Sequence, residues 1–493
     1  MPSLRRPEPW VFVILLGTYA FFWQARDWNS ASRLMLTYAI VDRGTIAING
    51  LEDQTHDRAF VRGRFYTDKL PGFSLMATGP YALAKTALRL PPHPLNAKGF
   101  AYWPADYWVT LCTSGLLTAL TGVVLAGLAR DLGCGPRGSA LVALAYGLGT
   151  PAYAYATMSH GHQATSFALI AAFALLWRTD RHRQALRSGL AGFLASYASV
   201  IELQVGPVSA VLGLYLLAQA AGRLRKVSTV GDFAVGALLP VVLLLGYNQL
   251  AFGSPWDMGY FHHTTKVFAD VHSKSNPLGL SRPEAVKALA LLWGRHRGLL
   301  FYAPILLLVP PGLVALARRK LWGALFVSTA VMADVFTVNL SYPEWTGGWS
   351  TGPRLLVPLL PFAVLPVAGF IAWGGRPACW IAALLATAGG VLMLLFVGVG
   401  GRVPQFFDDP LFQVVLPLWR GESVSGWVGE PFTRNAVSYW SPEFVARLDP
   451  RFRGLQFAPL VLGQTVLVLA MLLALRPGNG QRPVAQEGFK PAY

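Results

Sequence analysis

The chain has 493 residues, of which 54% are hydrophobic and only 13% charged, with a mean hydropathy of +0.43. A soluble protein carries about twice that charged fraction, so a water-soluble globular enzyme is excluded. The net charge of +17 does not point to nucleic acid. The basic residues are scattered through short loops between apolar runs, which is the pattern that membrane orientation demands.

The first apolar run, 9–24, follows "MPSLRRPEP". "FFWQARDW" offers no small-residue cleavage site, so the run reads as a retained helix rather than a signal peptide. Further runs cover 105–128, 138–157, 161–177, 188–202, 204–221, 232–252, 298–317, 321–341, 354–373, 378–399 and 456–475. Each is long enough, or nearly so, to cross ~30 Å of hydrocarbon. The expectation is an all-α polytopic membrane protein with about 12 transmembrane helices.

With the N-terminus inside, the inner segments are 1–8, 129–137, 178–187, 222–231, 318–320, 374–377 and 476–493. They hold 18 of the 41 Lys and Arg residues but only 4 of the 24 Asp and Glu. That bias supports the orientation. The apolar stretch 73–88 is read as a juxtamembrane or re-entrant helix, because counting it as a span would turn "RTDRHRQALR" and "GRLRK" outward. The outer face then carries 25–104, 253–297, 342–353 and 400–455. The expected organisation is a transmembrane module over 1–399, an outer cap over 400–455, a last helix over 456–475 and a flexible cytoplasmic tail over 476–493. Only Asp334 sits clearly inside a span. Cys112, Cys134 and Cys379 show no paired spacing and imply neither disulfide nor metal.

The outer segments hold the polar motifs. In 25–104, Leu34, Ala39 and Val41 alternate with Arg33, Asp42 and Arg43, the pattern of an amphipathic helix at the interface. Asp57 and Asp68 then lie among Arg58, Arg62, Arg64 and Lys69. A carboxylate near cations suits a general base beside a bound phosphate; the plainer reading is a solvated charged loop. His160 and His162 flank Gly161 at an outer helix junction. They suit hydrogen bonds to a sugar hydroxyl or a phosphate, or simply tie a helix end to a loop. His262, His263 and His272 share one outer loop without metal-ligand spacing, so no metal is expected. Glu202 stands at the outer end of an apolar hairpin, where a lone charge is costly, and an ion pair with Arg354 is one resolution. "YPEWTGGWSTGPR" combines Glu344, Trp345, Trp349 and Arg354 with glycines that allow close backbone approach. Its aromatic faces suit sugar rings or an interfacial belt.

The order of these motifs resembles the GT-C glycosyltransferases, in particular the bacterial branch related to protein O-mannosyltransferases and to aminoarabinose transferases of lipid A. The likeness rests on a first helix, an interfacial helix with Ser30 and Arg33, a Gly44-x-x-x-x-Asn49 turn and Tyr66-x-Asp68-Lys69-x-Pro71-Gly72. It continues through "YATMSHGHQATSFAL", "YNQLAFGSPWDMGY", "RGLLFYAPILLL" and "WTGGWSTGPRLLVPLLPF", covering roughly 10–375. The chain departs from it at Ser30-Ala31-Ser32-Arg33, where many relatives place an Asp-Glu pair before the arginine.

The resemblance implies a GT-C fold with a long first exoplasmic loop, a polyprenyl-phosphate sugar donor and a lipid, glycan or protein acceptor. It also implies no cofactor, and transfer, with inversion, at the outer face of the cytoplasmic membrane. Asp57 and Asp68 are then the catalytic candidates, with Asp57 favoured as base. Lys69, Arg33, Arg58 and Arg354 are candidates for the donor phosphate. His160, His162, Glu202, Glu344, Trp345 and Trp349 are candidates for sugar or acceptor. The alternative is a lipid-linked glycan transporter or a non-catalytic scaffold.

Overall fold

The computed structural model describes residues 6–96, 103–178, 181–427, 429, 431, 432 and 434–476. Residues 477–493 of the expected tail lie outside them. Each expected span falls mainly on helix, although the first helix ends at Ala20 and the 138–157 run breaks at Thr150 and Pro151. The Leu-, Ala- and Val-rich runs leave no backbone donor or acceptor unpaired when coiled, which is the condition for crossing hydrocarbon. Among the described residues, six helices are long and apolar enough to cross by themselves: Pro104–Asp131, Leu203–Ala221, Ser228–Phe252, Trp322–Leu340, Arg354–Gly398 and Pro450–Ala474. One of them, Arg354–Gly398, merges two expected spans across a break at Gly375 (φ 60°, ψ −138°). His162–Trp177 and Pro304–Arg318 are shorter apolar helices.

The outward faces confirm the solvent that these helices need. Ser228–Phe252 leaves Val235, Leu239 and Leu250 bare, and Pro450–Ala474 leaves Leu462 and Val466 bare. Such surfaces are stable only against lipid tails. Between helices, small residues set the approach. A Cβ at Gly192 would lie 2.0 Å from the Phe233 carbonyl oxygen, and one at Gly236 would lie 1.9 Å from that of Gly189. Gln184–Ile201 and Ser228–Phe252 therefore cross backbone against backbone, as small residues permit in membranes.

The first outer segment folds as a compact unit with its own apolar cluster, including Leu34, Tyr38, Ile48, Tyr66, Phe73 and Tyr81. Its first helix, Trp28–Arg43, starts at Asp27 because the chain there reads Asp-Trp-Asn-Ser. Asp27 Oδ1 accepts from the Ser30 backbone N–H at 2.7 Å, and Ser30 Oγ accepts from the Asp27 N–H at 2.8 Å. The helix ends at Gly44 (φ 62°). The alternation of charge suggests a helix lying half-exposed on the interface, but all of Ser30–Ala39 is buried. The helix packs against Gly72–Ala87, and the Ser74 hydroxyl donates to the Arg33 carbonyl at 2.8 Å.

A short hairpin joins these two helices and departs from the all-helical expectation. Strands Arg58–Val61 and Arg64–Thr67 pair antiparallel, with Arg62 (φ 51°) and Gly63 (φ 77°) turning the chain. The register pairs Arg58 with Thr67, so Asp57 arrives beside Asp68. An isolated bridge from Ala59 to His263 draws the 253–297 loop onto the same spot.

Candidate active site

A cavity of about 710 Å³ opens at the ends of the helices, beside the segment that holds the hairpin. Its wall takes residues from the first outer segment, the junction at His162, the hairpin at Glu202, the 253–297 loop, the Tyr342–Arg354 loop and the cap. Three carboxylates of the first segment face it: Asp27, Asp57 and Asp68.

Asp57 and Asp68 share one cation. Lys69 Nζ lies 2.7 Å from Asp68 Oδ2 and 2.9 Å from Asp57 Oδ2. Burial disfavours charge on all three, but the two carboxylates outweigh it for Lys69 and hold its pKa above the ordinary lysine value. For Asp68, burial is outweighed by Lys69 first and then His263, with a Ser32 hydroxyl at 3.1 Å, so its carboxyl sits below the usual range. For Asp57, burial wins over Lys69 and the pKa rises. Asp57 is thus the more basic member of the pair.

His263 Nε2 stands 3.7 Å from Asp68 Oδ2 and 4.0 Å from Asp57 Oδ1. These three side chains are close enough to hold a metal ion. The second ring nitrogen argues against that use. Nδ1 accepts from the Thr265 backbone N–H at 2.9 Å, so the proton of a neutral ring sits on Nε2, the atom a metal would need bare. Lys69 already occupies the space between the carboxylates as their cation.

Asp27 is the carboxylate that the sequence reading passes over. Its Oδ2 lies 3.1 Å from His160 Nε2 and 3.8 Å from the Arg402 guanidinium. Burial raises its proton affinity, but His160, Arg402 and the Ser30 N–H together hold the carboxyl well below the usual range. Its side chain is 18% exposed, against 10% for Asp57 and 1% for Asp68, so it is the most open of the three to a reactant. The Asp-x-x-Ser capping box before an apolar run is the signal that would have marked it. His160 lies behind Asp27 rather than on the cavity wall, and burial lowers its pKa to about 4, so it is neutral near pH 7.

The cationic side is led by Arg354. It lines the cavity, its Nε has no hydrogen-bond partner, and it forms no ion pair among the described residues. Gly347 makes room for it: at φ 72°, a Cβ there would lie 2.8 Å from Arg354 Cγ. The loop is pinned from behind by Arg297, which is fully buried and donates to the carbonyls of Thr346 (3.0 Å) and Gly348 (2.8 Å). Arg33 also faces the cavity, held by Asn29 at 3.1 Å. Arg58 does not reach it. Its guanidinium pairs with Asp53 at 3.3 Å and covers the Phe65 ring.

Glu202 does not pair with Arg354. Its Oε1 lies 2.6 Å from His162 Nδ1, and both residues line the cavity. Glu344 and Trp349 line it too, whereas Trp345 packs against the main apolar core. The cap, which carries no readable motif, forms part of the wall through Arg402, Trp427 and Asn435. It is stitched down by Ala436 N–H to the Phe21 carbonyl (2.9 Å) and by the Thr351 hydroxyl to the Gly401 carbonyl (2.6 Å).

No protein-family model matches the chain, and no curated protein matches it. Among solved structures, it is similar to ArnT from Cupriavidus metallidurans bound to undecaprenyl phosphate, at 12% identity and a TM-score of 0.46 over 94% of this chain and 74% of that one. It is similar to the arabinosyltransferase EmbB from Mycobacterium smegmatis at 13% identity and TM-score 0.40, over 94% of this chain and 40% of that one. It is also similar to the archaeal oligosaccharyltransferase AglB from Archaeoglobus fulgidus, in complex with an inhibitory peptide and a dolichol-phosphate. The identity there is 12% and the TM-score 0.37, over 96% of this chain and 56% of that one.

Proposed function

We propose that this chain is a membrane glycosyltransferase that moves a sugar from a polyprenyl-phosphate donor to an acceptor hydroxyl, with inversion, on the outer face of the cytoplasmic membrane. The observation that supports this reading is one cavity, at the ends of apolar helices, holding both an accessible carboxylate and a guanidinium with no counter-ion among the described residues. In the reaction the acceptor oxygen bonds to the anomeric carbon while the bond from that carbon to the phosphate oxygen breaks. The acceptor proton passes to a carboxylate, and polyprenyl phosphate leaves as the anion.

Asp27 is the base in this scheme. It is the most open of the first segment's three carboxylates and, unlike Asp57 and Asp68, has no lysine lodged on it. Asp57 is the second reading, favoured by its raised proton affinity. Arg354, with Arg33, meets the developing phosphate charge, an interaction that strengthens as the bond to the sugar breaks. Lys69 already serves two carboxylates, so its work is to keep that pair charged and in place. The side chains of Trp349 and Trp427 offer flat faces to the sugar ring.

The test is an assay of the purified chain with a panel of polyprenyl-phosphate sugars, reading release of polyprenyl phosphate. Release with one donor, lost in Arg354→Gln, supports the reading. Donor movement across proteoliposomes with no sugar release would replace it with a transporter.

A further inference from the structure

The helix Trp322–Leu340 is long and apolar enough to span, and it carries one ionisable residue, Asp334. At 1.5 Å per residue Asp334 lies about 9 Å from the Leu340 end and about 18 Å from the Trp322 end. That is well inside the hydrocarbon layer if the helix crosses it. A carboxylate at such a depth is retained where it has a partner. Asp334 makes no hydrogen bond or ion pair among the described residues, and its Oδ2 is buried with no acceptor or donor in reach.

The placement of Asp334 says where the missing partner lies. The inner face of the helix, through Val327, Val331 and Val335, packs into the core. The opposite face is bare along Trp322, Phe326, Thr329, Ala333 and Thr337, with Asp334 half-buried at its edge. The small residues nearest Asp334 on that face, Thr329, Ala333 and Thr337, recur every fourth position and permit a second helix to approach closely. Along the flanks, lipid tails satisfy apolar side chains but offer a carboxylate nothing.

We infer that this face docks a transmembrane helix of another protein, one that presents a lysine or arginine at the depth of Asp334. Charge complementarity selects that partner over a second copy of this chain. In the described membrane helices, lysine and arginine occur only at the ends or at the Gly375 break (Arg130, Arg137, Arg187, Arg318, Arg354, Arg376, Arg451 and Arg453), so another copy has no cation to offer at that level. The inference does not depend on the glycosyltransferase reading.

The test uses the full chain in phosphatidylcholine vesicles with a labelled single-span Leu/Ala helix. That helix carries one lysine at the matching depth, at the opposite depth, or nowhere, and association is read by energy transfer. The matched-lysine helix is expected to bind at least about 10-fold tighter than the other two, a difference of about 1.4 kcal/mol. The preference is expected to vanish in Asp334→Asn and Asp334→Leu. Equal binding of all three helices to the native chain overturns the inference, with no need for a folded variant. A lysine preference that survives in Asp334→Leu overturns it as well, and self-association abolished by Asp334→Asn would assign the face to a second copy instead.

Discussion

Asp27 and His160 stand 133 positions apart in the chain and 3.1 Å apart at Oδ2 and Nε2. The contact ties the start of the first outer helix to the junction before His162–Trp177. It also orients a carboxylate whose other oxygen is fixed by the Ser30 N–H. If Asp27 is the base proposed above, it is pre-positioned, so its removal is felt in turnover more than in donor binding. Asp27→Asn is expected to lower kcat by about 10²–10⁴-fold with donor Kd within a few-fold of native. Asp57→Asn is the control. If turnover falls with Asp57→Asn and survives Asp27→Asn, the base is Asp57.

Lys69 stands between two buried carboxylates, so Lys69→Gln leaves both without their shared cation. Removing one partner of a buried ionic cluster typically costs about 3–5 kcal/mol. We expect a large fall in Tm and loss of donor binding together. Arg354→Gln behaves differently, because Arg354 forms no ion pair among the described residues. Its Tm is expected to stay near native while donor affinity falls by about 10- to 150-fold, the value of a lost charge-assisted contact of roughly 1.5–3 kcal/mol. Thermal unfolding in detergent with a donor-binding titration separates the two.

Much of this was legible in the sequence. Apolar runs located the helices, and the sequence singled out His162, Glu202, Asp68 and Arg354, which line one cavity in the structure. Three things were not legible. The hairpin that brings Asp57 to Asp68 depends on register, and its strands are only four residues each, too short for a period-two pattern to show. Asp27 hid in a capping box, where its local role masked its long-range one. The cap's contribution through Arg402 rests on contacts with Asp27 across hundreds of residues, which local pattern does not encode.

The orientation is open to a direct check. The exposed residues Arg64 and Arg183 are expected on opposite sides of the membrane, the first outside. Arg64→Cys in an otherwise cysteine-free chain should react with an impermeant thiol reagent in intact cells, and Arg183→Cys should react only after lysis. Reaction at both before lysis would mean that 73–88 crosses.

The His160 ring also sets an acid limit on the fold. Burial lowers its pKa to about 4, whereas in an unfolded chain it is about 6.5. Between those values the unfolded state binds the proton and the folded state does not, so stability falls as pH drops from about 6.5 to 4 and is complete above that window. A shift of that size corresponds to about 3 kcal/mol. The neighbouring Asp27 works in the same direction at lower pH, because its depressed carboxyl loses its contribution as it protonates. His93 and His296, also lowered to about 4 by burial, add to the slope. Replacing His160 with glutamine keeps a donor for Asp27 and removes the titration. His160→Gln is therefore expected to lose less Tm than the native chain between pH 6.5 and 4.5, measured in one detergent at constant ionic strength. An unchanged slope would mean that the buried ring accepts its proton in the folded state as readily as in the unfolded one.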